Sequence, residues 1–180
     1  IGSDAIAQRS YGGKPPSFSY QKKLVEPLNH VKPITFNKIK NAEFIKEDSL
    51  TTLQGNIKNR YAVPVKTDID LKEAGTKDTL SNGDILYRLQ LKSVNAYALQ
   101  LVFDDFFLNE DAELFIYNSD TTQILGAYLS LNNTQNDKFI IEPVDGDVLT
   151  IELYESKSIQ NSRIHISHLA HSYKKNTTSN

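Results

Sequence analysis

The sequence predicts an all-β protein, an antiparallel β-sandwich of jelly-roll-like or P-domain-like form with an extended N-terminal arm. Three observations support this prediction. Apolar and polar residues alternate with a period of two in most segments after residue 84, which is the pattern of half-buried strands. Clusters of turn-forming residues separate these segments, for example at 109–111, 118–122 and 132–137. The connections are also too short for the crossover helices that parallel strands need.

The first 83 residues are predicted to form the arm. Four of the six prolines lie in one early stretch, at positions 15, 16, 27 and 33, and proline removes a backbone donor and disfavours helix immediately before it. A short helix is predicted around residues 43–50. Residues 61–65 are predicted to form a strand, which Pro64 restricts to a sheet edge because proline cannot donate to the ladder.

Residues 84–173 are predicted to form the sandwich. Apolar residues at 85, 87, 89 and 91 alternate with Leu86, Arg88, Gln90 and Lys92, which predicts a strand with one buried and one exposed face. Further strands are predicted at 99–103, 114–116, 124–131, 138–141, 148–153 and 164–166, which with the arm's strand gives about eight. Residues 174–180 are polar and are predicted to form a flexible tail.

The charges are unevenly distributed along the chain. Residues 84–154 hold 12 acidic and three basic side chains, whereas residues 1–83 hold 13 basic and nine acidic ones. An acidic body repels phosphates, so nucleic acid is not expected as a partner. Two interpretations stay open, a solvated acidic surface or a basic arm that lies across the acidic body. No apolar run reaches the roughly 18 residues of a membrane span, so no membrane span is predicted.

The motifs of common catalytic chemistry are missing from the sequence. The chain has no cysteine, which excludes disulfides, thiolate metal sites and a cysteine nucleophile. It has no Gly-x-Ser-x-Gly or Gly-Asp-Ser-Gly motif, and no strand precedes its one glycine pair, Gly12–Gly13, as a phosphate-binding loop would need. We therefore assign no catalytic residue and expect a protein that is not itself an enzyme.

Oxygen-rich loops are the main candidates for a metal site. Asp104 and Asp105 form one acidic pair, and Asp145 and Asp147 flank a glycine in another. Carboxylates of this kind hold Ca²⁺, although none of them has EF-hand spacing. The same residue types are also ordinary turn formers, so calcium stays a candidate and no cofactor is assigned.

Three histidines near the end of the sequence are a second metal candidate. His165, His168 and His171 lie three residues apart, and on a helix they could converge on one zinc ion. The alternation around them predicts a strand instead, which would place His165 and His171 on one face and His168 on the other. We therefore expect structural roles for these histidines.

Aromatic residues of the acidic segment suggest a ligand platform. Phe106, Phe107, Tyr117 and Tyr128 lie among carboxylates, and exposed rings in such surroundings bind carbohydrate on many sandwiches. The alternative is that these rings belong to the core.

Several segments together resemble a known family. They read NGDILYRLQLKS at 82–93, LQLVFDDF at 99–106, AELFIYN at 112–118, ILGAY at 124–128, PVDGD at 143–147 and IELYE at 151–155. This series is similar to the non-catalytic N-terminal domain that precedes the protease domain in secreted bacterial trypsin-like and lysyl-endopeptidase-like serine proteases. The later segments 164–166 and 169–173 resemble the strand that closes that domain, with Ser172 where the family usually has glycine. The opening GGKPPSFS at 12–19 resembles the start of such precursors.

The resemblance covers residues 10–173 and implies a secreted pro- or accessory domain whose partner is a trypsin-like protease domain, in cis or in trans. The family's catalytic motifs have no matching positions here, so no catalytic role is carried over. Lys174 and Lys175 are candidate processing sites for a lysine-specific protease. The small residues at 5–8 look like the end of a signal peptide, which agrees with an extracellular location. The alternative function is a β-sandwich module that binds carbohydrate or a cell surface.

Overall fold

The computed structural model describes residues 9–19, 31–53 and 60–175. Its strands are β1 (Ile34–Thr35), β2 (Ala62–Asp70), β3 (Thr76–Thr79), β4 (Ile85–Lys92), β5 (Ala98–Phe107), β6 (Glu113–Asn118), β7 (Ile124–Tyr128), β8 (Phe139–Ile140), β9 (Val144–Asp145), β10 (Val148–Glu155) and β11 (Arg163–Ser172). Its α-helices are α1 (Asn41–Leu53) and α2 (Leu71–Ala74). The predicted signal-peptide end at 5–8 and residues 176–180 of the predicted tail lie outside the described residues.

The strands form two packed sheets, which confirms the predicted antiparallel β-sandwich. The first sheet has the order β1-β4-β10-β6-β7, and β3 also pairs with β4. The second has the order β2-β11-β5-β8, and β9 also pairs with β5. All of these pairs are antiparallel except that of β1 with β4. In the part of the chain that is described, no helix is long and apolar enough to cross a membrane.

The core lies between the two sheets and follows the predicted alternation. Leu89, Leu101, Phe103, Ile116 and Ile151 are all at most 1% exposed and belong to one apolar cluster. Every second residue of a strand points to the same face, so each strand contributes its apolar set to this layer.

The four aromatic residues proposed as a ligand platform are not an exposed row, and that prediction is wrong for three of them. Phe106, Tyr117 and Tyr128 are buried. Phe106 stacks on Phe139 with ring centres 4.2 Å apart, so it is part of the core. Phe107 is half-buried, with the guanidinium of Arg163 4.9 Å from its ring centre. Large rings in strands lie between the sheets rather than in solvent because burying each ring removes a large apolar area from water.

The sheets include segments that precede residue 84. Strand β2 pairs with β11 along most of its length, and it forms the edge of the second sheet, as Pro64 predicts. The carboxylate of Asp70 accepts hydrogen bonds from the backbone of Lys72 and Glu73 at the start of α2, which carries the chain from the second sheet to the first. Strand β3 reads Thr-Lys-Asp-Thr, so it has no apolar alternation that could reveal it in the sequence.

Residues 11 and 12 of the arm cover an edge of the sandwich. The backbone N–H groups of Tyr11 and Gly12 donate to the carbonyls of Ala127 and Gly126, each at 3.0 Å, and Ala127 donates back to Gly12 at 2.9 Å. These bonds continue the first sheet beyond β7. A covered edge protects a sheet from pairing with another molecule.

The outer face of β4 is more buried than its alternation predicts. Leu86 and Arg88 are at most 2% exposed, whereas Gln90 and Lys92 are partly exposed. Arg88 is ion-paired at 2.8 Å with Asp78 of β3, a strand that the sequence did not reveal and that lies beside β4 in the same sheet.

Helix α1 confirms the predicted helix at 43–50 and extends it at both ends. Its large apolar residues are mainly in solvent, with Ile45 43%, Leu50 51% and Leu53 84% exposed. The ring of Phe44 packs against that of Tyr173, with ring centres 5.5 Å apart. Polar contacts also attach this helix to the sandwich and are described below.

Candidate functional site

A groove of about 800 Å³ opens where the end of β11 meets the starts of β2, β5 and β7. We call it the tyrosine groove. Its principal lining residues are Tyr61, Tyr97, Gln123, Glu142, Asp145 and Lys175. These residues come from five separate stretches of the chain, so the groove exists only in the folded sandwich.

The backbones of the two tyrosines are fixed to the end of β11. The N–H of Tyr97 donates to the carbonyl of Ser172 at 2.9 Å, and the carbonyl of Tyr61 accepts from the N–H of Tyr173 at 3.0 Å. The carbonyl of Tyr97 also accepts from Gly146 at 2.9 Å. The residues are nevertheless exposed, Tyr61 to 39% and Tyr97 to 46%. The groove therefore presents two accessible phenol rings on a fixed backbone.

The acidic side of the groove is positioned by an amide. Gln123 donates from Nε2 to the carbonyl of Pro143 at 2.9 Å and accepts at Oε1 from the N–H of Asp145 at 2.8 Å. This pair of bonds holds the backbone that carries Glu142 and Asp145, and both of these residues are exposed. The carboxylates are thus available at the wall of the groove.

Sequence reasoning did not select Tyr61 or Tyr97. In the structure each of them directly precedes a strand, Tyr61 before β2 and Tyr97 before β5. The aromatic residues selected instead lie within β5, β6 and β7, where burial is the normal outcome.

The four aspartates considered for calcium lie in two separate places, as the two loops of the sequence do. Asp145 pairs with Ala98 at the start of β5, whereas Asp104 lies six residues further along the same strand, roughly 20 Å away at the usual rise of a strand. Asp105 is ion-paired with Arg163 at 3.0 Å. Asp147 lies on the turn after β9. Within the described ranges, no three His, Asp or Glu side chains are arranged to hold a metal ion.

The three histidines lie in different surroundings. His165 bridges two carboxylates, with Nδ1 2.6 Å from Asp104 and Nε2 3.0 Å from Asp68. The hydrogen bond to Asp104 is the main cause that raises the pKa of His165. His168 lines the same depression because a bulge in β11 shifts the register between Ile166 and His168. The predicted pairing of His165 with His171 on one face is therefore wrong.

His171 belongs to a buried chain of side chains. The hydroxyl of Ser93 donates to Nδ1 at 2.8 Å, and Nε2 donates to Oδ1 of Asn41 at 2.9 Å. This order resembles a nucleophile, a base and an orienting group, but Ser93 and His171 are 0% exposed and the third residue is an amide. Burial lowers the pKa of His171. These two hydrogen bonds fix the start of α1 to the sandwich.

A second polar cluster, which we call the α1 clamp, fixes the middle of the helix. It consists of Phe44, Asp48, Arg60, Tyr173 and Lys174. The Asp48 carboxylate accepts hydrogen bonds from the Tyr173 hydroxyl at 2.6 Å, from Lys174 Nζ at 2.5 Å and from Arg60 at 3.1 Å. Arg60 also lies over the rings of Phe44 and Tyr173. The hydrogen bond from Lys174 is the main cause that lowers the pKa of Asp48 to about 2.

The candidate processing lysines differ in their surroundings. Lys174 is held in the α1 clamp, whereas Lys175 is exposed and lines the tyrosine groove. Of the two, Lys175 has the more accessible side chain.

Comparison with known proteins identifies no relative. No family model matches the chain, no curated protein matches it, and no solved structure matches its fold.

Proposed function

We propose that this chain is a non-catalytic pro- or accessory domain of a secreted trypsin-like serine protease, which assists folding of the enzyme or holds it latent. The proposal starts from the resemblance described above. It is supported by the agreement between the segments that carry the resemblance and the strands β4, β5, β6, β7, β10 and β11 of the sandwich.

The observation that carries the proposal is the open edge of β2. This strand has nine residues and pairs only with β11 among the described residues. The two edges of the first sheet are not open in this way, because the arm covers β7 and both β1 and β3 lie beside β4. An extended segment of an enzyme can pair with this strand beyond Pro64, which has no N–H to donate, and the main-chain hydrogen bonds would supply the affinity.

Lys174 and Lys175 follow the closing strand β11, and their surroundings favour processing after the second of them. Lys175 is exposed, so it can enter the specificity pocket of a lysine-specific protease. Lys174 is held by Asp48, and its ammonium would have to leave that carboxylate first. We therefore place processing after Lys175.

The experiment measures two effects of adding the chain to a separate protease. The chain is mixed at micromolar concentration with a secreted bacterial lysyl endopeptidase and, separately, with trypsin, and peptide hydrolysis and refolding yield are recorded. We expect slower hydrolysis or a higher yield of refolded enzyme, since a partner that binds only the folded enzyme stabilises it by mass action. Hydrolysis and refolding that are both unchanged for both enzymes would contradict the proposal.

The same mixtures test the processing site. Mass spectrometry of the chain after brief exposure to the lysyl endopeptidase should show cleavage after Lys175 before cleavage after Lys174. Equal early cleavage at both positions would contradict the assignment.

A further inference from the structure

We infer that the tyrosine groove binds a neutral carbohydrate chain, with Tyr61 and Tyr97 as stacking surfaces and Glu142 and Asp145 as hydrogen-bond acceptors. The inference goes beyond the proposed association with a protease and does not depend on it. It places the ligand site on residues other than the buried aromatics that the sequence suggested.

A sugar ring needs two kinds of contact at once. Its C–H face packs against aromatic faces, and its hydroxyl groups donate short, charge-assisted hydrogen bonds to carboxylates. The groove supplies both, because two half-exposed phenol rings share it with two exposed carboxylates. Its volume of about 800 Å³ is in the range of small-ligand sites and suits a short oligosaccharide.

The backbone around the groove is held in place before a ligand arrives. Both tyrosines are bonded to the end of β11, and Gln123 holds the backbone of Pro143 and Asp145. A fixed frame reduces the conformational entropy that binding would otherwise cost. This matters for sugars, since each individual stacking contact and hydrogen bond contributes little.

The charges of the groove favour a neutral ligand. Lys175 lies in the same groove as Glu142 and Asp145, so both donors and acceptors of hydrogen bonds are present. An anionic sugar would meet the two carboxylates, and a basic peptide would meet Lys175. A neutral polyhydroxyl chain can donate to the carboxylates and accept from the ammonium.

The experiment uses the full chain and five neutral probes. Isothermal titration measures binding of the hexasaccharides of β-1,4-glucose, β-1,4-xylose, β-1,4-mannose, β-1,4-N-acetylglucosamine and α-1,4-glucose. We expect at least one of them to bind. We expect Tyr97→Ala to weaken that binding about tenfold or more, as the loss of a central aromatic contact does. The double variant Glu142→Gln, Asp145→Asn should weaken it as well.

Matched controls separate the groove from general effects. Tyr11 is 40% exposed, close to the exposure of Tyr97, but it lies on the arm, so Tyr11→Ala should leave binding unchanged. Asp147→Asn removes a carboxylate of the neighbouring turn and should also leave it unchanged. Thermal melting of each variant shows whether it is folded.

Three outcomes would overturn the inference. They are failure of all five hexasaccharides to bind, binding that folded Tyr97→Ala retains in full, and binding of tetralysine instead of a sugar. Since no protease takes part, failure here leaves the proposed function standing, and unchanged protease activity leaves the groove standing.

Discussion

At the scale of single residues, Asp48 is the contact between three distant parts of the chain. Its carboxylate joins α1 to Arg60, before β2, and to Tyr173 and Lys174, after β11. A buried carboxylate needs such partners, because an unpaired charge away from water is strongly unfavourable. Ile45, Leu50 and Leu53 of α1 lie largely in solvent. This carboxylate and Asn41, together with the ring of Phe44 against that of Tyr173, hold the helix in place.

We expect Asp48→Asn to lower the urea midpoint of unfolding at pH 7. The pKa of Asp48 is lowered from 3.8 to about 2 in the folded protein, so the unfolded state binds a proton more readily. The stabilisation by its charge is therefore complete above about pH 4 and is lost as the pH falls through about 2. Urea unfolding from pH 7 to pH 2 should show the two midpoints converging.

Glu43→Gln is the control on the same helix. Glu43 pairs with Lys40 at 2.8 Å, but both side chains are exposed, and exposed pairs contribute little to stability. Its midpoint should match that of the unchanged protein at every pH. A difference for Asp48→Asn that persists undiminished at pH 2 would show that the charge is not the cause.

At the scale of elements, the segment 9–19 is attached to the first sheet at two places. Tyr11 and Gly12 extend the sheet beyond β7, and Ser17 covers its outer face. The backbone N–H of Ser17 donates to Glu152 at 2.8 Å and its hydroxyl donates at 2.6 Å. Glu152 is 0% exposed, and burial raises the pKa of its carboxyl despite these bonds.

We expect Ser17→Ala to lower the free energy of unfolding by about 1.5–3 kcal/mol, the usual contribution of a hydrogen bond to a charged group. Urea denaturation at neutral pH measures the change. Ser19→Ala is the matched control, since Ser19 is exposed and ends the same turn. Equal stability of the two variants would show that the hydroxyl of Ser17 does not stabilise the covered face.

At the scale of the whole molecule, the structure shows which contacts attach residues 9–19 of the basic arm to the acidic body. The contacts of 9–19 with the sandwich include backbone hydrogen bonds, the hydrogen bonds of the Ser10 and Ser17 side chains, a bond from Asn132 to the carbonyl of Arg9 and the packing of Phe18 against Tyr117. Among the described residues, no ion pair joins this segment to the sandwich. Short-range contacts therefore attach it, and salt screens these little.

We expect deletion of residues 1–19 to lower the melting temperature and to promote association through the uncovered edge of β7. Because no ion pair joins residues 9–19 to the rest of the described chain, the difference in melting temperature between a chain that lacks residues 1–8 and one that lacks residues 1–19 should be the same in 0.1 M and 1 M NaCl. Calorimetry and light scattering measure the two effects. A difference that largely disappears in 1 M NaCl would show that the arm is held by charge.

The strands that the sequence predicted are those in which alternation is strong. Residues 85–92, 99–103 and 148–153 are strands because a period of two buries one apolar face. The edge position of β2 also followed from one residue, Pro64. Strand β3 could not be predicted, since its four polar residues form a strand only through their pairing with β4.

The sequence by itself determined the sandwich, because the repeat that places apolar residues on one face is local and needs no knowledge of distant contacts. Only the tertiary structure decided which polar and aromatic side chains reach solvent. Burial depends on what covers a face, so Tyr117 and Glu152 lie beneath the arm while Tyr61 and Tyr97 stay open beside Glu142. Residues separated by up to 114 positions form that groove, and the pairing of whole strands brings them together.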